Sequence, residues 1–189
     1  MTTQTDARAL QAAADSSTGR RLIAIGLGAL LVALAAQVRI PLPFTPVPVT
    51  LQDLAVLTVG GLLGPVAGAA ALATYLGLGI LGLPVFAGGG AGLPWLLGPT
   101  GGYLLAFPVA AFVMGLVAHR HGFGHAVLGA LLGMMIIHVG GVAQLALLTG
   151  DPGTAFRTGS LPFLSVSLLK IGLAAALVAG VSPKLGRLL

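Results

Sequence analysis

Six stretches of mostly apolar residues run along the chain, at about 22–38, 50–63, 65–83, 101–118, 126–148 and 161–181. Short breaks rich in proline, glycine or polar residues separate them. A helix that crosses a bilayer needs ~20 predominantly apolar residues. None of the stretches alternates in the manner of a membrane strand, and lipid offers no partner to backbone N–H and C=O groups, so each is predicted to be a helix. The second stretch is short and is joined to the third only by Gly64-Pro65, which predicts a tight hairpin. The expected fold is therefore all-α: one integral membrane bundle of six transmembrane helices over residues 21–189, preceded by a polar arm at 1–20.

Composition agrees with lipid as the solvent. Of 189 residues, 57% are hydrophobic and 7% charged, and the mean hydropathy is +1.05. A soluble domain carries about 25% charged residues to face water. The pI of 10.9 would fit a nucleic-acid binder, but the basic residues are scattered at segment ends and form no patch. The absence of cysteine excludes disulfides and thiolate metal sites. Arg20 and Arg21 ahead of an apolar run, with Ala33-Leu34-Ala35 beyond, resemble a cleavable signal. The polar arm before them and the equally apolar chain after residue 40 argue that the segment is retained.

With six spans, both termini and the loops after the second and fourth segments share one side. That side holds Arg8, Arg20, Arg21, Arg120, Lys184 and Arg187, against Arg39 and Arg157 on the other. The positive-inside rule predicts cytoplasmic termini in the cell inner (cytoplasmic) membrane, with loops 39–49, 84–100 and 149–160 facing outward. Small residues recur at four-residue spacing in Ala29/Ala33, Gly64/Gly68, Ala69/Ala73/Gly77 and Gly129/Gly133. Such spacing lets membrane helices approach closely, and most of these sets are expected to pack inside the bundle.

Ionisable groups inside a membrane need a reason. Lys170 lies nine residues in from Leu161, roughly 14 Å along a helix, where a charge costs about 2.5–3.5 kcal/mol. Snorkelling from that depth is difficult, so a ligand contact is favoured over a structural ion pair. Thr50-Leu51-Gln52-Asp53 reads as a capping box, which would hold Asp53 near the outer interface, away from Lys170. The proline-rich segment 39–49 forms a stiff cover suited to a cavity mouth. The glycine-rich segment 84–102, with Phe86 and Trp95, suits a surface whose polar contacts come partly from the main chain.

Other patterns carry no chemistry. Gly77-Leu-Gly-Ile-Leu-Gly82 matches a dinucleotide fingerprint but lies within a helical stretch, with no acidic residue between Asp53 and Asp151. There is no Gly-Lys-Ser/Thr phosphate loop. His119, His121 and His125 have no Cys, Glu or Asp beside them to complete a metal site. His138 reads as an interhelical hydrogen bonder, and no nucleophile–base set points to an enzyme.

Three motifs together resemble the BioY family of biotin-uptake subunits: Ile40-Pro-Leu-Pro-Phe-Thr-Pro-Val-Pro-Val-Thr-Leu-Gln52, Gly82-Leu-Pro-Val-Phe-Ala-Gly-Gly89 and Gly98-Pro-Thr-Gly-Gly-Tyr103. The resemblance runs over nearly the whole chain from residue 22. It implies a six-helix bundle that binds biotin in an outward-facing pocket, needs no cofactor, and partners a transmembrane coupling protein and two ATPase subunits. Carried onto this sequence, it implies ligand contacts from Phe44, Thr45, Gln52, Phe86, Gly89, Gly90, Tyr103, Ser167 and Lys170, and a docking stripe of Ala29 and Ala33. The chain departs from the family's Asp-x-x-Lys in the sixth helix, having Ser167 at the acid position, and Gly90 and Leu104 stand where some relatives are polar. Lys170 then lacks a resident counter-ion, and the ligand's own carboxylate is expected to balance it. Capture of another small vitamin, or a membrane enzyme or channel, are the alternatives.

Overall fold

A computed structural model describes residues 4–118 and 122–185 of the chain. His119, Arg120, His121 and Arg187, invoked above, lie outside the described residues. Eight α-helices are present among those described: α1 (Gln4–Gln37), α2 (Gln52–Leu63), α3 (Pro65–Ile80), α4 (Leu93–Leu97), α5 (Gly101–Ala118), α6 (Phe123–Thr149), α7 (Pro152–Gly159) and α8 (Leu164–Leu185). Six of them are the apolar helices expected. Ser17–Gln37, Gly101–Ala118, Phe123–Thr149 and Pro152–Val181 are long and apolar enough to cross a membrane, whereas α2 and α3 are shorter. The outer faces are apolar, with Leu147 86% and Leu168 67% exposed. In water such faces would aggregate; they fit a lipid environment.

Three features depart from the sequence expectation. The segments 84–100 and 149–160 carry the short helices α4 and α7, and the polar arm continues α1 as helix from Gln4. The proline-rich segment folds back on itself, with strands β1 (Arg39–Ile40) and β2 (Val49–Thr50) pairing antiparallel in the register Arg39↔Thr50 and Ile40↔Val49.

Glycine sets the spacing of α2, α3 and α5. Gly64 turns the chain between α2 and α3 at φ 80°, a conformation that L side chains rarely adopt. A Cβ on Gly68 would lie 2.8 Å from the Gly60 Cα, and one on Gly115 would lie 2.5 Å from the Gly64 carbonyl carbon. A Cβ on Gly60 would meet the Ala111 backbone. These backbones touch because small residues stand at each crossing.

The small-residue sets divide by face. Ala29 is buried and Ala33 packs against the same cluster as Val59, Ala71 and Leu72. Ala29 thus helps close α1 onto α2 and α3, with Ala33 half-buried at the edge of the same contact. Gly129 meets Met114, and Gly133 meets Leu57 and Ala110, so they too pack inside. Ala73 and Gly77 instead look outward.

Candidate functional site

A cleft opens at the end of the bundle that carries the hairpin, the glycine-rich loop and α7. Its enclosed space is about 70 Å³, and its mostly apolar lining with a few convergent polar groups is the pattern of a small-molecule site. Val47, Pro48 and Val49 cover it, Phe86, Trp95, Leu104, Phe107, Ile137 and Phe163 line it, and Gln52, Asp53, His138 and Lys170 supply polar groups.

The aromatic walls rest on glycines. A Cβ on Gly79 would strike the Phe86 ring, one on Gly90 the Trp95 indole, and one on Gly141 the Tyr103 ring. Each ring lies against bare backbone. Phe86 is fully buried, and its ring meets Tyr75 edge-on with centroids 5.6 Å apart. Gln52 Nε2 donates to the Tyr75 hydroxyl (2.6 Å), which donates in turn to the Val85 carbonyl (3.2 Å). That relay ties the glycine-rich loop to α2 and α3. Gln144 anchors α4 by donating to the carbonyls of Leu96 (2.8 Å) and Gly98 (2.6 Å).

At the polar end, Lys170 Nζ lies 2.8 Å from both Asp53 carboxylate oxygens and donates to the Thr50 carbonyl at 2.6 Å. Asp53 is the more exposed partner, its side chain 18% accessible against 8%. This corrects the expectation that Asp53 serves as a cap remote from Lys170. The hairpin delays α2 until Gln52, which leaves Asp53 in the first turn of α2, and α8 starts at Leu164 rather than Leu161. Lys170 is then only six residues from its helix end, roughly 9 Å. Of the expected capping box only the hydroxyl acts, Thr50 Oγ1 accepting from the Gln52 N–H at 3.2 Å. Lys170 has its counter-ion within the chain.

The remaining candidates fall on both sides of the line. Gln52, Phe86, Tyr103 and Lys170 line the cleft together. Phe44 is exposed, because the hairpin register carries it to the tip. Thr45 donates to the Thr158 carbonyl (2.8 Å), latching the hairpin to α7. Gly89 donates its N–H to Gln37 Oε1 (3.1 Å), so it fastens the loop to α1, and Gly90 seats Trp95. Ser167 is buried against His138, bonding its Nε2 at 3.0 Å, and does not line the cleft. The interhelical role read for His138 holds.

The residues that sequence reasoning missed are Asp53, His138 and the glycine seats. Only the seats left a local signal, glycines near aromatics in sequence, and that signal reaches Gly90 alone.

The sequence profile of the BioY family matches residues 5–187. A biotin transporter BioY of Thermotoga maritima is 40% identical over 161 residues, 85% of this chain and 94% of that protein. A probable biotin transporter BioY of Pyrococcus horikoshii is 40% identical over 147 residues, 77% of this chain and 88% of that protein. The crystal structure of an S-component for biotin from an ECF-type ABC transporter is similar with a TM-score of 0.80 at 26% identity, over 89% of this chain and 93% of that one. The agreement spans every helix that builds the cleft, and the chain belongs to the BioY family.

Proposed function

We propose that this chain takes up biotin across the cytoplasmic membrane, capturing it in the cleft as the substrate-specific subunit of an ECF-type transporter. Its role is in transport, not catalysis. The observation that carries the reading is the Lys170–Asp53 pair at the polar end of an otherwise apolar and aromatic cleft. Biotin has a neutral ureido ring, an apolar tail and a carboxylate. A pair that is neutral overall matches the ureido group: Asp53 accepts from a ureido N–H while Lys170 donates to the ureido oxygen. The aromatic walls enclose the fused rings and tail.

Residues 21–189 act in this reading as one membrane domain behind the 1–20 arm. The Lys and Arg distribution puts both termini in the cytoplasm and opens the cleft outward. The chain has no phosphate loop, so energy comes from two ATPase subunits acting through a transmembrane coupling protein. The direct test is mass spectrometry of the small molecules released from gently purified protein. Biotin is expected. Another vitamin in its place would overturn the ligand assignment.

A further inference from the structure

Ser167 does not line the cleft; its side chain points to His138. His138 on α6 is held at both ring nitrogens, Nδ1 3.1 Å from Ser160 Oγ and Nε2 3.0 Å from Ser167 Oγ. Ser160 and Ser167 are each 4% exposed. A hydroxyl both donates and accepts, so this cradle satisfies either imidazole tautomer. The Tyr103 ring meets the imidazole edge-on, with centroids 6.5 Å apart and planes at 76°. The ring is therefore fixed in position, tilt and rotation.

Its placement gives that fixing a consequence. His138 lines the ligand cleft on one side. On the other it lines a groove between α6 and α8, shared with Leu131, Met135 and Leu168, whose side chains are exposed on the lipid-facing surface. The imidazole is the partition between the two, beside the Lys170–Asp53 pair.

We infer that Ser167 is a positioning residue for ligand specificity: with Ser160 it clamps His138, whose ring forms the wall that shapes the polar end of the cleft. This rests on the biotin reading. Without the Ser167 hydroxyl, Nε2 becomes a half-buried polar atom facing apolar side chains, and such an atom seeks a new partner. The cleft that His138 lines also holds Gln52, Asp53 and Lys170, toward which the freed ring can turn.

The test is titration calorimetry of biotin against wild type, Ser167→Ala, Ser167→Thr, His138→Leu and the double variant Ser167→Ala/His138→Leu. Ser167→Ala should weaken binding about five- to thirtyfold, and Ser167→Thr, which keeps the hydroxyl, should restore it. In the His138→Leu background Ser167→Ala should have no further effect, since the pair acts as one unit. An equal loss in both backgrounds, or no loss in either, overturns the inference. Failure of wild type to bind biotin would instead overturn the reading beneath it. If His138→Leu does not fold, nitrogen-15 spectra of the His138 ring decide. The Nε2 resonance should move in Ser167→Ala, and an unmoved resonance overturns the clamp.

Discussion

Lys170 and Asp53 lie 117 positions apart in sequence, yet the ammonium touches both oxygens of the carboxylate at 2.8 Å. The contact joins α8 to α2 at the floor of the cleft, and each charge justifies the other in a low-dielectric setting.

Breaking the pair from one side should therefore cost more than removing it whole. Lys170→Met leaves a partly buried carboxylate without a partner and should lower stability by about 1–3 kcal/mol. Adding Asp53→Asn should recover most of that loss. Thermal unfolding in detergent measures both, and equal midpoints for the single and double variants would contradict the pairing.

A resident counter-ion also reverses the sequence expectation about ligand charge. Biotin and its uncharged amide should bind wild type with similar affinity, because the carboxylate is not needed to balance Lys170. Asp53→Asn removes the acceptor for the ureido N–H, so acid and amide should both bind more weakly, by about tenfold, while their ratio stays near one. Competition binding measures the ratio. A strong preference for the acid in wild type would show that Asp53 does not neutralise the lysine.

Gly79 and Gly77 offer a matched comparison on α3. Gly79→Ala drives a methyl into the Phe86 ring, whereas Gly77→Ala meets nothing within 4 Å. The first should weaken biotin binding by about 1–3 kcal/mol through overpacking of the wall. The second should leave it unchanged. Similar affinities for the two variants would remove the role given to the glycine seat.

The hairpin latch should appear in kinetics. Thr45→Val deletes the hydrogen bond to the Thr158 carbonyl and should raise the biotin dissociation rate about two- to tenfold, the scale of one neutral hydrogen bond. Stopped-flow displacement measures the rate. No change would mean that the latch is not part of the barrier to release.

Asp151 caps α7 from outside the bundle. Its carboxyl is held below the usual range, chiefly by the Thr154 hydroxyl and then by the Gly153 and Thr154 N–H groups. A depressed folded value means that the cap is fully present above the unfolded value of about 3.9 and is lost as pH falls through the folded one. Amide exchange in α7, corrected for intrinsic rates, should lose protection on acidification in wild type and show no such pH dependence in Asp151→Ala.

The sequence made the bundle legible because lipid allows so few backbone solutions; the fifth apolar stretch, for one, falls three residues short of α6 at its start and one at its end. It made Lys170 legible because a lone charge in an apolar run has no neutral explanation. Asp53 was misplaced for a physical reason. A capping pattern is a local signal, and nothing local reveals that the first turn of α2 meets α8 at Lys170. Ala29 shows the same limit, since spacing identifies a close-packing face without saying what packs on it. The expectation of a loop over 149–160 misses α7, although its start carries a capping Asp151 and a proline in the first turn.

The central claim is that this chain alone binds biotin at the Lys170–Asp53 end of the cleft. Titration calorimetry of biotin into the purified protein, without nucleotide or partner subunits, tests it most directly. Wild type should bind saturably with one biotin per chain. The Lys170→Met/Asp53→Asn double variant, which leaves no unpaired charge, should bind more weakly by about 2–3 kcal/mol, the scale of a charged hydrogen bond. No saturable binding by wild type, or equal affinity in the double variant, would contradict the account.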